Sequence, residues 1–195
     1  MSGNGSSARA IVDAIERGEI AGEAGLVVSN RKDSVALGWA RELGLPARCI
    51  PTTIDPEAAD GRLAEAMQAD GVQLIVMSGY LRRLGPRTLG AYAGRILNIH
   101  PGPLPAFGGE GMYGRRVHEA VCAAGLAETT ITIHLVDEEY DHGAVIATRP
   151  EPIMPGETAE TLEARVRALE PAYFTEVIAR VAAGDLSWPG LKLGG

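Results

Sequence analysis

Ile96-Leu97-Asn98-Ile99-His100-Pro101 is the run of residues on which the reading of this chain turns. In a strand, residues two apart point to the same side, so Asn98 and His100 present their polar groups together. Pro101 cannot donate to a ladder and ends the strand. Upstream, Gly25-Leu26-Val27-Val28-Ser29 and Leu74-Ile75-Val76-Met77-Ser78 are near-continuous apolar runs, the pattern of strands covered by helices on both faces. Helical patterns lie between them. Ser6 and Ser7 open a segment with Ile11, Ala14 and Ile15 on one face. Ser34 to Leu43 is a second helix, stopped by Gly44. Asp55 to Asp70 is a third, with Pro56 in its first turn and Gly71 at its end. Strand and helix in alternation predict an α/β fold with a doubly wound, mostly parallel sheet.

Beyond His100 the pattern changes. Pro101 to Gly114 holds three Pro and five Gly, which predicts a long loop of the kind that carries function. A helix is expected over Arg115 to Ala124. Thr129 to Val136 alternates Thr with apolar residues, and Val145 to Thr148 is its expected antiparallel neighbour across the turn Asp137 to Gly143, giving a C-terminal hairpin. Thr158 to Ala183 carries a helical stripe of Leu162, Val166, Leu169, Val177 and Val181, with Pro171 expected to kink it. No repeat or linker divides the chain, so residues 1–195 are read as a single domain.

The 195 residues include 25 acidic and 18 basic side chains, a net charge of −7. Phosphate neutralisation needs a basic face, so a nucleic-acid partner is not expected. No run approaches the roughly 18 apolar residues of a membrane span. The start, MSGNGSSARA, lacks the features of a signal peptide. Cys49 and Cys122 form no metal or redox motif, so no metal is expected, and a cytoplasmic setting fits.

Asn98 and His100 stand at the carboxyl end of their strand, where open parallel sheets bind ligands. Asp141, in the acidic turn Asp137-Glu138-Glu139-Tyr140-Asp141-His142-Gly143, is the natural third member. A carboxylate beside His100 would stabilise its imidazolium and raise its pKa. Asn, His and Asp together suit acyl transfer without an enzyme nucleophile: the amide donates to a developing oxyanion, the His moves a proton, and the carboxylate orients it. No G-x-S-x-G elbow supports a Ser-His-Asp hydrolase. At the amino end, Ser2-Gly3-Asn4-Gly5-Ser6-Ser7 opens a helix with small residues, a start that lets backbone N–H groups approach a phosphate.

Gly3-Asn4-Gly5-Ser6, Asn98-Ile99-His100-Pro101 with Leu104-Pro105, His134-Leu135-Val136 and Asp141-x-Gly143 occur in this order in the phosphoribosylglycinamide formyltransferase family, and the chain resembles that family from Gly3 to about Gly184. The loop Phe107 to Gly114 resembles a branch with a longer insert. The resemblance implies transfer of a formyl group from 10-formyltetrahydrofolate, as co-substrate, to the amine of glycinamide ribonucleotide in purine synthesis. It implies that Asn98 binds the formyl oxygen, that His100 stabilises the tetrahedral intermediate, and that Asp141 holds His100 and helps move the proton. Gly5, Ser6 and Ser7 would bind the ribonucleotide phosphate, Glu170 the ribose hydroxyls, and Pro101 would lie beside the glycinamide. Leu81, Arg82, Arg83 and Leu84 would line the pterin pocket, closed on its other side by Val136 and Glu138. His134 and His118 are read as structural or supporting, and His142 as solvent-facing. A monomer or homodimer is expected.

Three departures from the family pattern stand out. The family usually has a hydrophobic strand of about six residues before the phosphate loop, and this chain starts inside that loop, so the first, central strand is expected to be missing. Gly102-Pro103 follows His-Pro where the family often has Ser. An Arg that the family often places early in the third helix aligns near Pro56. Formyltetrahydrofolate deformylase shares the Asn, His and Asp but gives the formyl group to water. That enzyme and a catalytically impaired, truncated ligand-binding relative are the alternative readings.

Overall fold

The computed structural model describes residues 5–191 and 193. Its elements, in order, are α1 (Ser6–Glu16), β1 (Val27–Ser29), α2 (Val35–Glu42), β2 (Ala47–Cys49), α3 (Pro56–Ala69), β3 (Ile75–Met77), α4 (Pro86–Ala91), β4 (Ile96–His100), α5 (Arg115–Ala123), β5 (Glu128–Leu135), β6 (Val145–Pro152) and α6 (Ala159–Ala182). The expected strands and helices are all present, with ends within about two residues except β6, which runs on to Pro152. The short β2 and α4 were not anticipated. Loop 101–114 contains no regular element.

Local chemistry explains several boundaries. Asp55 caps α3 by accepting from the backbone N–H of Ala58 at 2.9 Å, and Pro56 occupies the first turn, where a missing N–H costs nothing. Thr158 and Thr161 form a reciprocal capping box at the start of α6. That helix continues through Pro171 to Ala182. None of the described helices is long and apolar enough to cross a membrane.

Among the described residues the strands form two sheets, β1-β2 and β3-β4-β5-β6. β1 pairs with β2, and β3 with β4, in parallel. β4 with β5 and β5 with β6 run antiparallel. The antiparallel part therefore begins one strand earlier than a terminal hairpin alone would place it, and it covers half of these pairings. No described residue forms a strand before α1, and no described strand joins β1-β2 to the larger sheet. The wall between them is an apolar slot of about 820 Å³, lined from β1 and β3 together with α1, α3 and the end of α6.

Helices cover both faces. Leu97 and Ile99 of β4 and Ile131 and Ile133 of β5 point into the main core with Ile11 of α1, Val117 and Val121 of α5, and Leu162, Val166, Phe174 and Val177 of α6. Ile75 and Ile96 point the other way, against Met67 of α3 and the Tyr92 ring after α4. The period-2 alternation of β4 thus buries its odd residues under α5 and α6 and leaves Asn98 and His100 on the other side of the strand.

Candidate active site

β4 delivers Asn98 and His100 to a cavity of about 610 Å³. Pro101 follows at its rim, and the Thr132 hydroxyl donates to the carbonyl of Gly102 at 2.8 Å, fixing the chain as it leaves the strand. The departure at Gly102 has a steric reason here. A Cβ at that position would lie 2.5 Å from Val117 Cγ1 of α5 and 3.3 Å from His100 Nε2, so α5 packs where a side chain would go.

Asp141 reaches the same place from the turn between β5 and β6. It has φ 55, a left-handed conformation that Asp and Asn tolerate better than most residues. Its Oδ2 lies 3.4 Å from His100 Nδ1 and accepts from the Gly109 N–H at 3.2 Å, while its Oδ1 lies 3.4 Å from His134 Nε2. Gly143 closes the turn so tightly that a Cβ there would sit 2.0 Å from the Leu135 carbonyl oxygen. Neither backbone can yield, because Leu135 N–H is held by the Ala144 carbonyl. Gly143→Ala is therefore expected to destabilise the protein by about 1–3 kcal/mol or more, lowering Tm by several degrees and moving Asp141 off its partners. Thermal melts and a catalytic assay on the same preparation check it.

The proton positions follow from the partners. His134 Nδ1 lies 2.7 Å from the Leu135 carbonyl, which only accepts, so Nδ1 carries a proton. Its Nε2 then accepts from the Asn98 amide at 3.1 Å, which fixes the orientation of that amide and leaves its second N–H for a ligand. By the same reasoning His100 Nε2 donates to the Phe107 carbonyl at 2.8 Å, so Nδ1 faces Asp141. Burial is the strongest influence on His100 and drives its pKa below the usual value. Asp141 and the Phe107 carbonyl oppose that shift, and His134 adds to it. Asp141 thus raises the His100 pKa as expected, but the expected net rise is corrected: a ring only 3% exposed loses more hydration than one carboxylate restores. For Asp141, burial pushes upward, but His134, His100 and the Gly109 N–H together hold the carboxyl below its ordinary range.

Neutral His100 and ionised Asp141 therefore confront each other as two acceptors. The arrangement is ready to receive a proton, and the imidazolium so formed lies against a carboxylate.

The other candidate residues line the same cavity. Gly5, Ser6 and Ser7 contribute the start of α1, with Ser7 buried and Gly5 in a left-handed conformation. Ser2, Gly3 and Asn4 of that loop lie outside the described residues. Leu81, Arg82, Arg83 and Leu84 line the cavity together with Val136 and Glu138. There Arg83 donates to the Glu138 carbonyl and stacks over Tyr140 at 5.6 Å from the ring centre. Glu170 enters from α6. Burial pushes its carboxyl up to about 7, with Arg167 pulling down and Glu163 pushing up.

A raised carboxyl carries a stability signature. Below pH 4.5 both folded and unfolded chains hold the proton and Glu170 makes no difference. Between 4.5 and 7 only the unfolded chain ionises, so stability falls, and above 7 the penalty is constant. Glu170→Gln is expected to stabilise the unliganded protein by ~2–3 kcal/mol at pH 8, with the gain fading as pH approaches 4.5. Denaturant titrations at three pH values test this.

His134, read from sequence as structural or supporting, holds Asn98 with its ring. Asn98 pairs directly with His134 in the β4-β5 register, and a register shift in the β5-β6 pairing falls between Ile133 and His134, features that only the folded sheet reveals. The Phe107 carbonyl and Gly109 N–H come from irregular backbone and left no sequence signal. His142 is exposed and pairs with Asp137 at 3.0 Å, away from the cluster.

Residues 1–178 match the family model described as formyl transferase. The chain is 35% identical over 192 residues to the chloroplastic phosphoribosylglycinamide formyltransferase of Arabidopsis thaliana, an alignment covering 96% of this chain but 65% of that relative, so the chain spans about two thirds of the plant protein. It is 34% identical to the phosphoribosylglycinamide formyltransferase of Escherichia coli strain K12, covering 95% of this chain and 86% of the bacterial one. Among solved structures, glycinamide ribonucleotide transformylase 1 of Symbiobacterium toebii superposes with a TM-score of 0.87 at 35% identity, covering 98% of this chain and 89% of that one. With its Asn98, His100 and Asp141 gathered in a single cavity and its likeness extending over nearly its whole length, this chain belongs to the phosphoribosylglycinamide formyltransferase family.

Proposed function

We propose that the chain transfers the formyl group of 10-formyltetrahydrofolate to the amine of glycinamide ribonucleotide, a step of purine synthesis. The observation that carries this reading is the convergence of the Asn98 amide, His100 Nδ1 and the Asp141 carboxylate in one cavity. That set can stabilise an oxyanion and accept a proton, and it includes no enzyme nucleophile. The names of the relatives support the choice of the glycinamide ribonucleotide as acceptor and of a formyl group as what is transferred.

The ribonucleotide would take the α1 end, its phosphate on the backbone of Gly5, Ser6 and Ser7, its ribose hydroxyls on Glu170 and its glycinamide beside Pro101. The folate would take the Leu81–Leu84 end, between that main chain and Val136 and Glu138. The neutral amine attacks the formyl carbon, and the carbonyl electrons move onto oxygen, where the free N–H of Asn98 donates to it. The attacking nitrogen becomes cationic and passes a proton to His100, whose imidazolium is held by Asp141. Collapse breaks the bond between carbon and the folate nitrogen, and that nitrogen takes up the proton. Formylated amide and tetrahydrofolate are the products, with no net gain or loss of protons.

The same proposal assigns the reaction to the cytoplasm, a setting that suits the free thiols Cys49 and Cys122. The test is a formyl-transfer assay with both substrates. Consumption of amine in step with folate release is the expected result. Absence of turnover by well-folded protein overturns the reading, and formate release without loss of amine replaces it with deformylation.

A further inference from the structure

His118, one turn into α5, is fully buried, yet it lines the catalytic cavity. Neither Nδ1 nor Nε2 has a hydrogen-bond partner among the described residues. An imidazole always carries at least one N–H donor, and a neutral one also carries an acceptor lone pair. Leaving such groups unmatched in a protein interior is unfavourable, and buried polar atoms that stay so call for an explanation. Packing alone offers none, because an aliphatic side chain of the same size would fill this place in α5 without the penalty.

The surroundings indicate which ligand is concerned. α5 packs on α6, and the titratable groups that act on the His118 ring are Glu163 and Glu157 on that side and His100 on the other. Burial is the largest influence and keeps the ring in its neutral form. Glu163 itself is engaged by Arg115 at 2.9 Å. His118 therefore belongs to the wall built by α5 and α6, which also carries Glu170, and the segments Leu81–Leu84 and Val136–Tyr140 contribute other parts of the lining. A neutral imidazole offers one donor and one acceptor, so its complement is an uncharged group that both accepts and donates.

We propose that His118 is a substrate-binding residue that hydrogen-bonds a neutral donor–acceptor group of the amine substrate, either a ribose hydroxyl or the glycinamide amide. This rests on the assignment of the α6 wall to the ribonucleotide. The role predicts an unusual combination of effects: removing the imidazole weakens ligand binding without weakening the unliganded fold.

The experiment measures glycinamide ribonucleotide and ribose 5-phosphate binding by calorimetry, KM for both substrates, and Tm without ligand, for the wild type, His118→Leu and His118→Gln. For His118→Leu, a rise of about tenfold or more in Kd and KM for the ribonucleotide is expected. KM for the formyl-folate should stay within twofold, and Tm should be equal to or above that of the wild type. His118→Gln, which keeps a donor and an acceptor, should recover part of the lost affinity. Weakened binding of ribose 5-phosphate as well identifies a hydroxyl as the contact, and its retention identifies the amide. Unchanged ribonucleotide affinity in both variants overturns the proposal, as does a parallel rise in both KM values with a fallen Tm, which is the mark of a packing residue. Failure of the wild type to bind the ribonucleotide at all overturns instead the substrate reading on which the proposal rests.

Discussion

His100→Asn is expected to lower kcat for formyl transfer by roughly 10²- to 10⁴-fold, the range associated with loss of a positioned acid–base group. Affinity for the formyl-folate should stay within severalfold of the wild type. The two parts of this expectation have different structural origins. The ring of His100 lies between Asp141 and the Phe107 carbonyl, and its Nδ1 is the basic atom that faces the carboxylate. The shorter asparagine places its amide where Nδ1 stood, gives up the contact with Phe107, and has no atom that can take a proton near neutral pH. The segments proposed to hold the folate, from Leu81 to Leu84 and from Val136 to Tyr140, are separate from β4 and should not notice the change. Single-turnover kinetics with equilibrium folate binding separate the two. A variant that loses folding, or one whose kcat falls less than tenfold, would make His100 a structural residue.

Much of this arrangement can be read from residue order alone, and the reason is periodicity. Strand β4 matches its sequence reading from Ile96 to His100 because alternation over five residues, closed by a proline, admits one orientation. β2 escaped notice because Ala47-Arg48-Cys49 is only three residues long and owes its state to pairing with β1, a tertiary contact. α4 is similarly short, and it is held by Asp60 of α3, whose carboxylate accepts from the N–H groups of Arg87 at 2.8 Å and Thr88 at 3.2 Å. β6 extends through Arg149-Pro150-Glu151-Pro152, where two prolines argue against a strand. They are tolerated because β6 is the last strand of its sheet and one of its edges is not used in the ladder.

In the site, side chains on regular elements were legible and backbone groups on loop 101–114 were not. A carbonyl such as that of Phe107 has no residue-type signature, so its hold on His100 appears only once the loop is folded. The direction of the His100 pKa failed for a related reason. Charge partners can be named from sequence, but desolvation depends on how completely the neighbouring elements enclose the ring.

Asp141→Asn isolates the contribution of charge at the centre of the cluster. Asparagine has the same shape, accepts the left-handed backbone at φ 55, and retains an oxygen for the Gly109 N–H. What disappears is the negative charge between His100 and His134. Asp141 is the main influence that raises the His100 pKa against burial, so without it the imidazole becomes a still weaker base. The imidazolium formed when the amine gives up its proton also loses its counter-charge, and kcat is expected to fall by roughly 10²- to 10⁴-fold. The pH dependence carries the sign. If unprotonated His100 is the working form, its pKa sets the acid limb of kcat/KM, and in Asp141→Asn that limb should move to lower pH. Stability should follow a separate course. A carboxyl whose folded pKa is depressed stabilises the protein above its unfolded pKa and ceases to do so as pH falls through the folded value, so a modest loss of Tm at pH 7 should shrink on acidification. An acid limb that stays in place, or moves to higher pH, would mean that Asp141 is not coupled to His100. The charge would then be needed for His134 and the Asn98 amide it orients, and a pH-independent loss of kcat would identify that route.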